Sequence, residues 1–262
     1  MSFLDALPQR YRLILCDIWG CVHDGQSLLP GAAERLRQWR GEGRFVCLIT
    51  NAPRTADAVE QHLLRLGLRP DAWDAIVTSG EAGIAALLQL DKPVGFLGTA
   101  EDRAILEGRG LVLANRGFFH LAATGLDDER PSAEQYRQQL QSLVRRRVTF
   151  HCLNPDRLVI HCGERMVCAG ALADIYEALG GIVAWYGKPH PPIYREALAL
   201  AGNPPAEAVL AIGDGLPTDI AGAAAMGFDV VFVRGGIHAD EPVPDDYGTP
   251  GWAPVAVVPS LA

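Results

Sequence analysis

Residues 13–25 read LILCDIWGCVHDG. An apolar run, Leu13 to Cys16, ends in Asp17, and a glycine-punctuated segment follows at once. A short apolar run bounded by turn residues is the pattern of a strand buried on both faces. Such a strand delivers the carboxylate that follows it to the edge of a sheet. Trp19 stands two residues further on, and HDG at 23–25 reads as the tip of a turn.

Outward from this stretch, apolar runs alternate with helical patterns, the grammar of an α/β fold with a mainly parallel sheet. A helix is predicted over Ala32–Glu42, a strand over Phe45–Thr50, a helix near Thr55–Leu66, a strand over Ala75–Thr78 and a helix over Glu81–Leu90. The middle starts a new series: a strand at Val94–Leu97, followed by a helix and by strands near Leu111–Leu113 and Phe119–Ala123. A helix follows, opened by a capping box of Ser132 and Gln135 and running to about Arg145. VTFHCLNPD reads as a strand and turn, and Gly170–Leu179 as a helix. The last third returns to simple alternation, with a helix over Pro192–Ala201, a strand over Ala208–Ile212, the turn GDGLPTD, a helix over Ile220–Met226 and a strand over Asp229–Val233. A last apolar run lies at Val255–Val258. One core built from both ends of the chain, with a second α/β unit inserted between, accounts for this order.

The 262 residues suffice for one large or two modest cores, and 49% hydrophobic with 21% charged residues is ordinary for a globular protein. A net charge of −8 argues against a nucleic-acid surface. The run Arg145–Arg147 suits the C-terminal end of a helix, where cations complement the dipole. No apolar stretch approaches a membrane span, and the first residues lack signal-peptide anatomy. The six cysteines, Cys16, Cys21, Cys47, Cys152, Cys162 and Cys168, form no CxxC pair. They read as buried reduced thiols, which predicts a cytoplasmic protein.

Four segments fall at predicted strand ends, where open α/β sheets bind their ligands. Asp17 is the first; alone it reads equally well as a turn cap. LITNAPR is the second: Thr50 and the backbone of Asn51 suit an anion, although ordinary helix capping explains them too. WYGKPHPP is the third, with Lys188 in a stiff turn entering a helix, where a lone lysine is usually a solvated charge. The fourth, GDGLPTD, carries Asp214 and Asp219 around a glycine loop; paired carboxylates suit Mg²⁺, and Asp219 alternatively caps the helix. In that order the four make a phosphoryl-transfer set. They comprise an aspartate nucleophile, a divalent ion and two groups for the oxygens of the transferred phosphoryl. A phospho-accepting receiver domain also gathers Asp, Thr and Lys, but it is shorter and places its acids early.

These four segments resemble the motifs of the haloacid dehalogenase-like (HAD) hydrolase superfamily, and are similar to its class IIA branch of the NagD type. DIWGCVHDG corresponds to the first motif, LITNAPR to the second, GKPHPPIY to the third and GDGLPTDI to the fourth. The resemblance implies a Rossmann-like parallel-sheet core in two parts, 1–80 and 186–262, with a C2-type α/β cap over 81–185. It implies Asp17 as nucleophile, with Lys188 and Thr50 on the phosphoryl group. The metal site would take Asp17, the backbone carbonyl of Trp19, Asp214 and Asp219. Trp19, Gly20, Asn51 and Arg54 would line the phosphate side, with Asn154 and Asp156 in LNPD facing the substrate; LNPD reads as well as an Asx turn. The expected activity is Mg²⁺-dependent hydrolysis of a small phosphorylated metabolite, with no nucleic acid or membrane partner. Relatives of this branch often pair through their caps, so a homodimer is among the expectations.

Trp19 departs from the family pattern, which has a second Asp there as general acid and base. Such help is typically worth about 10²–10⁴-fold in rate, roughly 3–5 kcal/mol. An indole donates one hydrogen bond and exchanges no proton near neutral pH. His23 and Asp24 are the nearby candidates for a substitute, His23 having a suitable ordinary pKa. The other reading of Trp19 is a protein that keeps the phosphate-and-metal cradle for binding or regulation without turnover.

Overall fold

β1 (Leu13–Asp17) is buried at every residue, and the rest of its sheet is arranged around it. The structure, a computed structural model, describes residues 2–161, 164–235 and 253–262. After β1 come α1 (Ala32–Gly41), β2 (Phe45–Thr50), α2 (Ala56–Arg65), β3 (Ala75–Thr78) and α3 (Ser79–Leu88). The middle holds β4 (Gly95–Leu97), α4 (Ala100–Gly108), β5 (His120–Ala123), α5 (Arg137–Arg145), β6 (Thr149–Cys152), the antiparallel hairpin β7 (Leu158–His161) and β8 (Glu164–Val167), α6 (Ala169–Ala178) and β9 (Ile182–Trp185). The last third adds α7 (Pro191–Leu200), β10 (Val209–Gly213), α8 (Ala221–Met226), β11 (Asp229–Val233) and β12 (Ala256–Val258).

The chain divides into two compact units: Met1–Thr50 with Asp57–Val77 and Lys188–Ala262, and Asn51–Ala56 with Thr78–Gly187. The first holds a six-stranded sheet in the order β12-β11-β10-β1-β2-β3, whose ladders from β12 to β2 run parallel. Leu13, Leu15, Cys47, Ile49, Val209, Ala211, Val230 and Phe232 pack on one face with Ile193 and Tyr194 of α7. The alternate residues Ile14, Cys16, Val46, Leu48, Leu210 and Ile212 are buried as well. Burial on both faces is why these strands read as continuous apolar runs rather than as alternating ones.

The second unit carries a parallel sheet in the order β4-β5-β6-β9. Its main core packs Leu121, Ala123, Phe150 and Cys152 with Tyr136, Leu140 and Leu143 around α5 and Leu172, Ala173 and Tyr176 of α6. Two expectations change here. Leu111–Leu113 is not a strand: a single bridge pairs Val94 with Leu113, and the bend at Asn115–Gly117 ends the pairing. The helix expected to begin at Glu81 begins two residues earlier, because the Thr78 hydroxyl caps it by accepting from Glu81 N at 2.9 Å. Ser132 and Gln135 do form their capping pair, with Ser132 N donating to Gln135 Oε1 at 3.1 Å. It opens a short 3₁₀ turn that leads into α5. The basic run closes α5, and Arg146 donates to the Phe118 carbonyl.

Cys16, Cys21, Cys47, Cys152 and Cys168 are buried and free of disulfides; Cys162 lies outside the described residues. No described helix is long and apolar enough to cross a membrane.

A polar chain runs through the second unit: the Tyr186 hydroxyl meets His151 Nδ1 at 2.6 Å, and His151 Nε2 meets His120 Nδ1 at 2.9 Å. Burial, then the neighbouring His120, pull the His151 pKa down to about 4. The unfolded chain takes up a proton near the ordinary histidine value while the folded chain resists it. Stability is therefore complete above about pH 6.5 and falls as the pH drops towards 4. Urea unfolding at pH 7 and pH 4.5 is expected to show His151→Phe losing about 2–3 kcal/mol less than wild type between the two.

Candidate active site

β1 is the point at which the strand order reverses, with β2 on one side and β10 on the other. In an open parallel sheet, ligands bind outside the carboxyl ends at such a reversal. The register sets what gathers there. Asp17 is the last residue of β1 and pairs with Ile49, so Thr50 lies one step further along β2. Cys16 pairs with Ile212, so Gly213 ends β10 beside Asp17 and Asp214 begins the following loop. Asp17, Thr50, Lys188, Asp214 and Asp219 are all buried.

Lys188 joins two of these carboxylates. Its Nζ donates to Asp17 Oδ1 at 2.5 Å and to Asp219 Oδ1 at 2.7 Å, and the residue is only 3% exposed. The remaining Asp219 oxygen accepts from Gly215 N at 3.1 Å. Burial opposes the Lys188 charge, but Asp17 and Asp219 outweigh it, so its pKa stands well above the ordinary lysine value. Burial, then Asp219 and Asp214, push the Asp17 carboxyl well up despite the ammonium beside it. Both shifts have one cause: a single ammonium offsets one of three carboxylate charges in a poorly solvated place.

That excess negative charge is what a divalent cation relieves, and the donor set suits one. Oxygens of Asp17 and Asp214 and the Cys21 sulfur all lie within 4.8 Å of one another. The space is kept by glycines. A Cβ on Gly20 would stand 2.2 Å from Asp214 Oδ2, and Gly20 has φ +84°, a conformation that disfavours side chains. A Cβ on Gly213 would stand 2.1 Å from the Asp219 carboxyl carbon. Asp219 itself is held by Lys188 and Gly215 N.

The loop after Asp17 folds back on itself: Gly20 N donates to the His23 carbonyl at 2.9 Å, and Val22 N to the Ile18 carbonyl at 2.8 Å. Trp19 is half-buried, and its ring meets the His23 ring edge-on at 5.1 Å; His23 meets His62 of α2 edge-on at 5.2 Å. His23 Nδ1 accepts from Gly25 N at 2.9 Å, which leaves Nε2 to carry the ring proton. Burial, then His62, lower the His23 pKa to about 4, so near neutral pH the ring is uncharged with its Nδ1 lone pair engaged. This geometry suits packing rather than proton exchange. Asp24 is exposed and its Oδ1 accepts from Gln26 N and Ser27 N, closing an Asx turn.

The other candidates belong to the second unit. Asn51 Nδ2 donates to Asp156 Oδ1 at 2.7 Å, and Asp156 N donates to Asn154 Oδ1 at 3.2 Å. Gly187 permits this packing, since a Cβ there would stand 2.3 Å from Asn51 Oδ1 and 2.8 Å from Pro155 Cγ. Arg54 pairs with Glu101 at 3.2 Å on the surface.

Residues 14–112 match the haloacid dehalogenase-like hydrolases, and residues 185–262 match a HAD-hydrolase-like family. A solved hydrolase of the haloacid dehalogenase-like family from Brucella suis 1330 is 34% identical, covers 100% of both chains and superposes with a TM-score of 0.87. The chain belongs to the haloacid dehalogenase-like hydrolase family. This HAD-like hydrolase is also 28% identical to the D-glycerol 3-phosphate phosphatase of Mycobacterium tuberculosis, over 90% of its own length and 66% of that protein's, just under two thirds. It is 24% identical to the ribonucleotide monophosphatase NagD of Escherichia coli K12, over 95% of this chain and 96% of that one. A solved glycerol phosphate phosphatase from M. tuberculosis, in complex with magnesium, is 28% identical with a TM-score of 0.72, covering 97% of this chain and 76% of that one.

Cys21 was read from the sequence only as a buried thiol; its adjacency to Gly20 was the one local sign that it borders the carboxylates. The Gly20 contact has a measurable cost. In urea unfolding, Gly20→Ala is expected to lose roughly 2–4 kcal/mol, from backbone strain plus displacement of Asp214. Gly43→Ala, at φ +82° but facing open space, is the control and is expected to lose only about 1–2 kcal/mol.

Proposed function

We propose that this HAD-like hydrolase is a Mg²⁺-dependent phosphohydrolase of a small phosphorylated metabolite, working through an aspartyl-phosphate on Asp17. The observation that carries the reading is the buried Asp17–Lys188–Asp219 bridge at the carboxyl end of β1, with Asp214 beside it. The relatives that act on phosphate esters, and the one solved with magnesium, support the same reading.

Asp17 and Asp214, with the Trp19 carbonyl and with Asp219 in support, would hold the ion. Bound Mg²⁺ supplies charge neutralisation for an anionic phosphate approaching a carboxylate. Lys188 grips Asp17 Oδ1 and fixes the carboxylate plane, leaving the other oxygen to attack phosphorus. That attack forms the Asp17 O–P bond and breaks the P–O bond to the leaving group. Thr50 and the Gly20 backbone, at the same sheet edge, suit the phosphoryl oxygens. In the second half, water attacks phosphorus, the Asp17 O–P bond breaks and the carboxylate is restored with release of phosphate.

Both halves need a proton moved, to the leaving oxygen and then from the attacking water. Trp19 cannot move it, and His23 is engaged as described. The first half survives on substrates whose leaving group needs no protonation, whereas hydrolysis of the acyl-phosphate loses its base. The enzyme is therefore slow at dephosphorylation.

Pre-steady-state assays with an activated aryl phosphate and Mg²⁺ test this. Wild type is expected to release a burst of about one equivalent of leaving group, then turn over slowly, with a hydroxylamine-sensitive phosphoenzyme present. Asp17→Asn is expected to lose both signals, and Trp19→Asp to raise the steady rate by about 10–10²-fold. Activity that survives Asp17→Asn would overturn the nucleophile. A wild type without burst or turnover, beside an active Trp19→Asp, would instead favour a phospholigand-binding role.

A further inference from the structure

Cys21 is the donor beside Asp17 and Asp214 that phosphoryl transfer does not use. Its sulfur lies within 4.8 Å of a carboxylate oxygen of each. The thiol is 1% exposed. Cys16, Cys47, Cys152 and Cys168 each direct their S–H to a backbone carbonyl. Cys21 has no such partner among the described residues, and its neighbours are the two carboxylates. The turn that returns Gly20 N to the His23 carbonyl and Val22 N to the Ile18 carbonyl holds it there.

A thiol is a poor ligand for Mg²⁺, which takes oxygen donors, but a good one for Zn²⁺ and Cd²⁺. Two carboxylates and one thiolate are a three-donor set of the kind zinc accepts, with the fourth position left to water. At zinc bond lengths of about 2.0–2.3 Å, tetrahedral donors stand roughly 3.3–3.7 Å apart. The present separations reach that range with side-chain shifts of about 1 Å or less.

We propose that Cys21, Asp17 and Asp214 give the metal site a second, thiolate-bearing mode that takes Zn²⁺ or Cd²⁺ and blocks the enzyme. The inference rests on the Mg²⁺ reading above, because both modes share Asp17 and Asp214. On binding, the metal–sulfur bond replaces the S–H bond and the proton leaves to solvent. The two carboxylates and the thiolate then surround the dication, and Asp17 is tied to the metal.

The full-length protein, stripped of metal, is titrated with Cd²⁺ and followed by the ultraviolet thiolate-to-Cd²⁺ charge-transfer band. Zn²⁺ affinity is measured in parallel against a chromophoric chelator. Wild type is expected to show the band saturating at about one equivalent, with apparent Cd²⁺ affinity weakened by added Mg²⁺. Cys21→Val is expected to lose the band and at least ~10-fold in Zn²⁺ affinity, while keeping its thermal stabilisation by Mg²⁺. If the valine variant does not fold, Cys21→Ser, close to the native side chain in size, must lose the band in the same way. An unchanged band in either variant, or Zn²⁺ affinity within about 3-fold of wild type, overturns the proposal. Mg²⁺ stabilisation of wild type without a Cd²⁺ band overturns the thiolate mode alone. No stabilisation by Mg²⁺ overturns the metal reading and the proposal together.

Discussion

The buried bridge from Lys188 to Asp17 and Asp219 is the interaction on which the site depends. Charges taken out of water carry a desolvation cost of several kcal/mol each, recovered only with good geometry and further hydrogen bonds. The fold supplies both. β1 and β10 bring Asp17 and the Asp219 loop side by side, Gly215 N satisfies the free Asp219 oxygen, and glycine at 213 leaves room for the carboxylate. The arrangement is under-neutralised by design, since one ammonium faces three acids. That imbalance is a source of instability for the folded chain and a source of affinity for a cation.

The sheet that carries the bridge was legible because its strands are buried on both faces. Runs such as LILC, FVCLIT and VLAIG have no polar alternation to confuse their reading, and the strand predicted at Phe45–Thr50 spans the observed β2. The order of Asp17, Thr50, Lys188, Asp214 and Asp219 along the chain carried the family: Asp17 and Thr50 end β1 and β2, Asp214 directly follows β10, Asp219 lies in the helical turn after it, and Lys188 stands just before α7. Boundaries were less legible where a side chain decides them, as at Thr78, whose hydroxyl starts α3 early. The β7–β8 hairpin escaped the reading, and Leu111–Leu113 looked like a strand because apolar residues promise pairing whether or not a following bend allows it. Convergence in space was the hardest to read: Cys21 and Asp214 are far apart in sequence, and only the pairing of β1 with β10 makes them neighbours.

The proton question has become a matter of tautomers. Sequence proximity made His23 a candidate for the missing general acid, behind the plainer reading of HDG as a turn. Hydrogen bonding does not support that role, because the Gly25 amide occupies Nδ1, and burial favours the uncharged ring. Trp19, His23 and His62 instead form a stack of edge-on rings from the active-site loop to α2. Aromatic packing of this kind stabilises a loop by shape and dispersion, so these three rings hold the segment after Asp17 in place.

The glycine at position 20 decides how much change the loop after Asp17 can take. Its missing Cβ is what gives the Asp214 carboxylate its place, so any replacement there disturbs backbone and cluster together. Its neighbour Trp19 is half-buried, and its ring packs edge-on against His23 rather than against the carboxylates. The two adjacent positions therefore stand under unequal steric constraint. The backbone that gathers the charges is locked by sterics at Gly20, while the Trp19 side chain meets only the looser limits of ring packing. A substitution at 20 therefore acts on the charge cluster itself, and one at 19 on the packing of the loop.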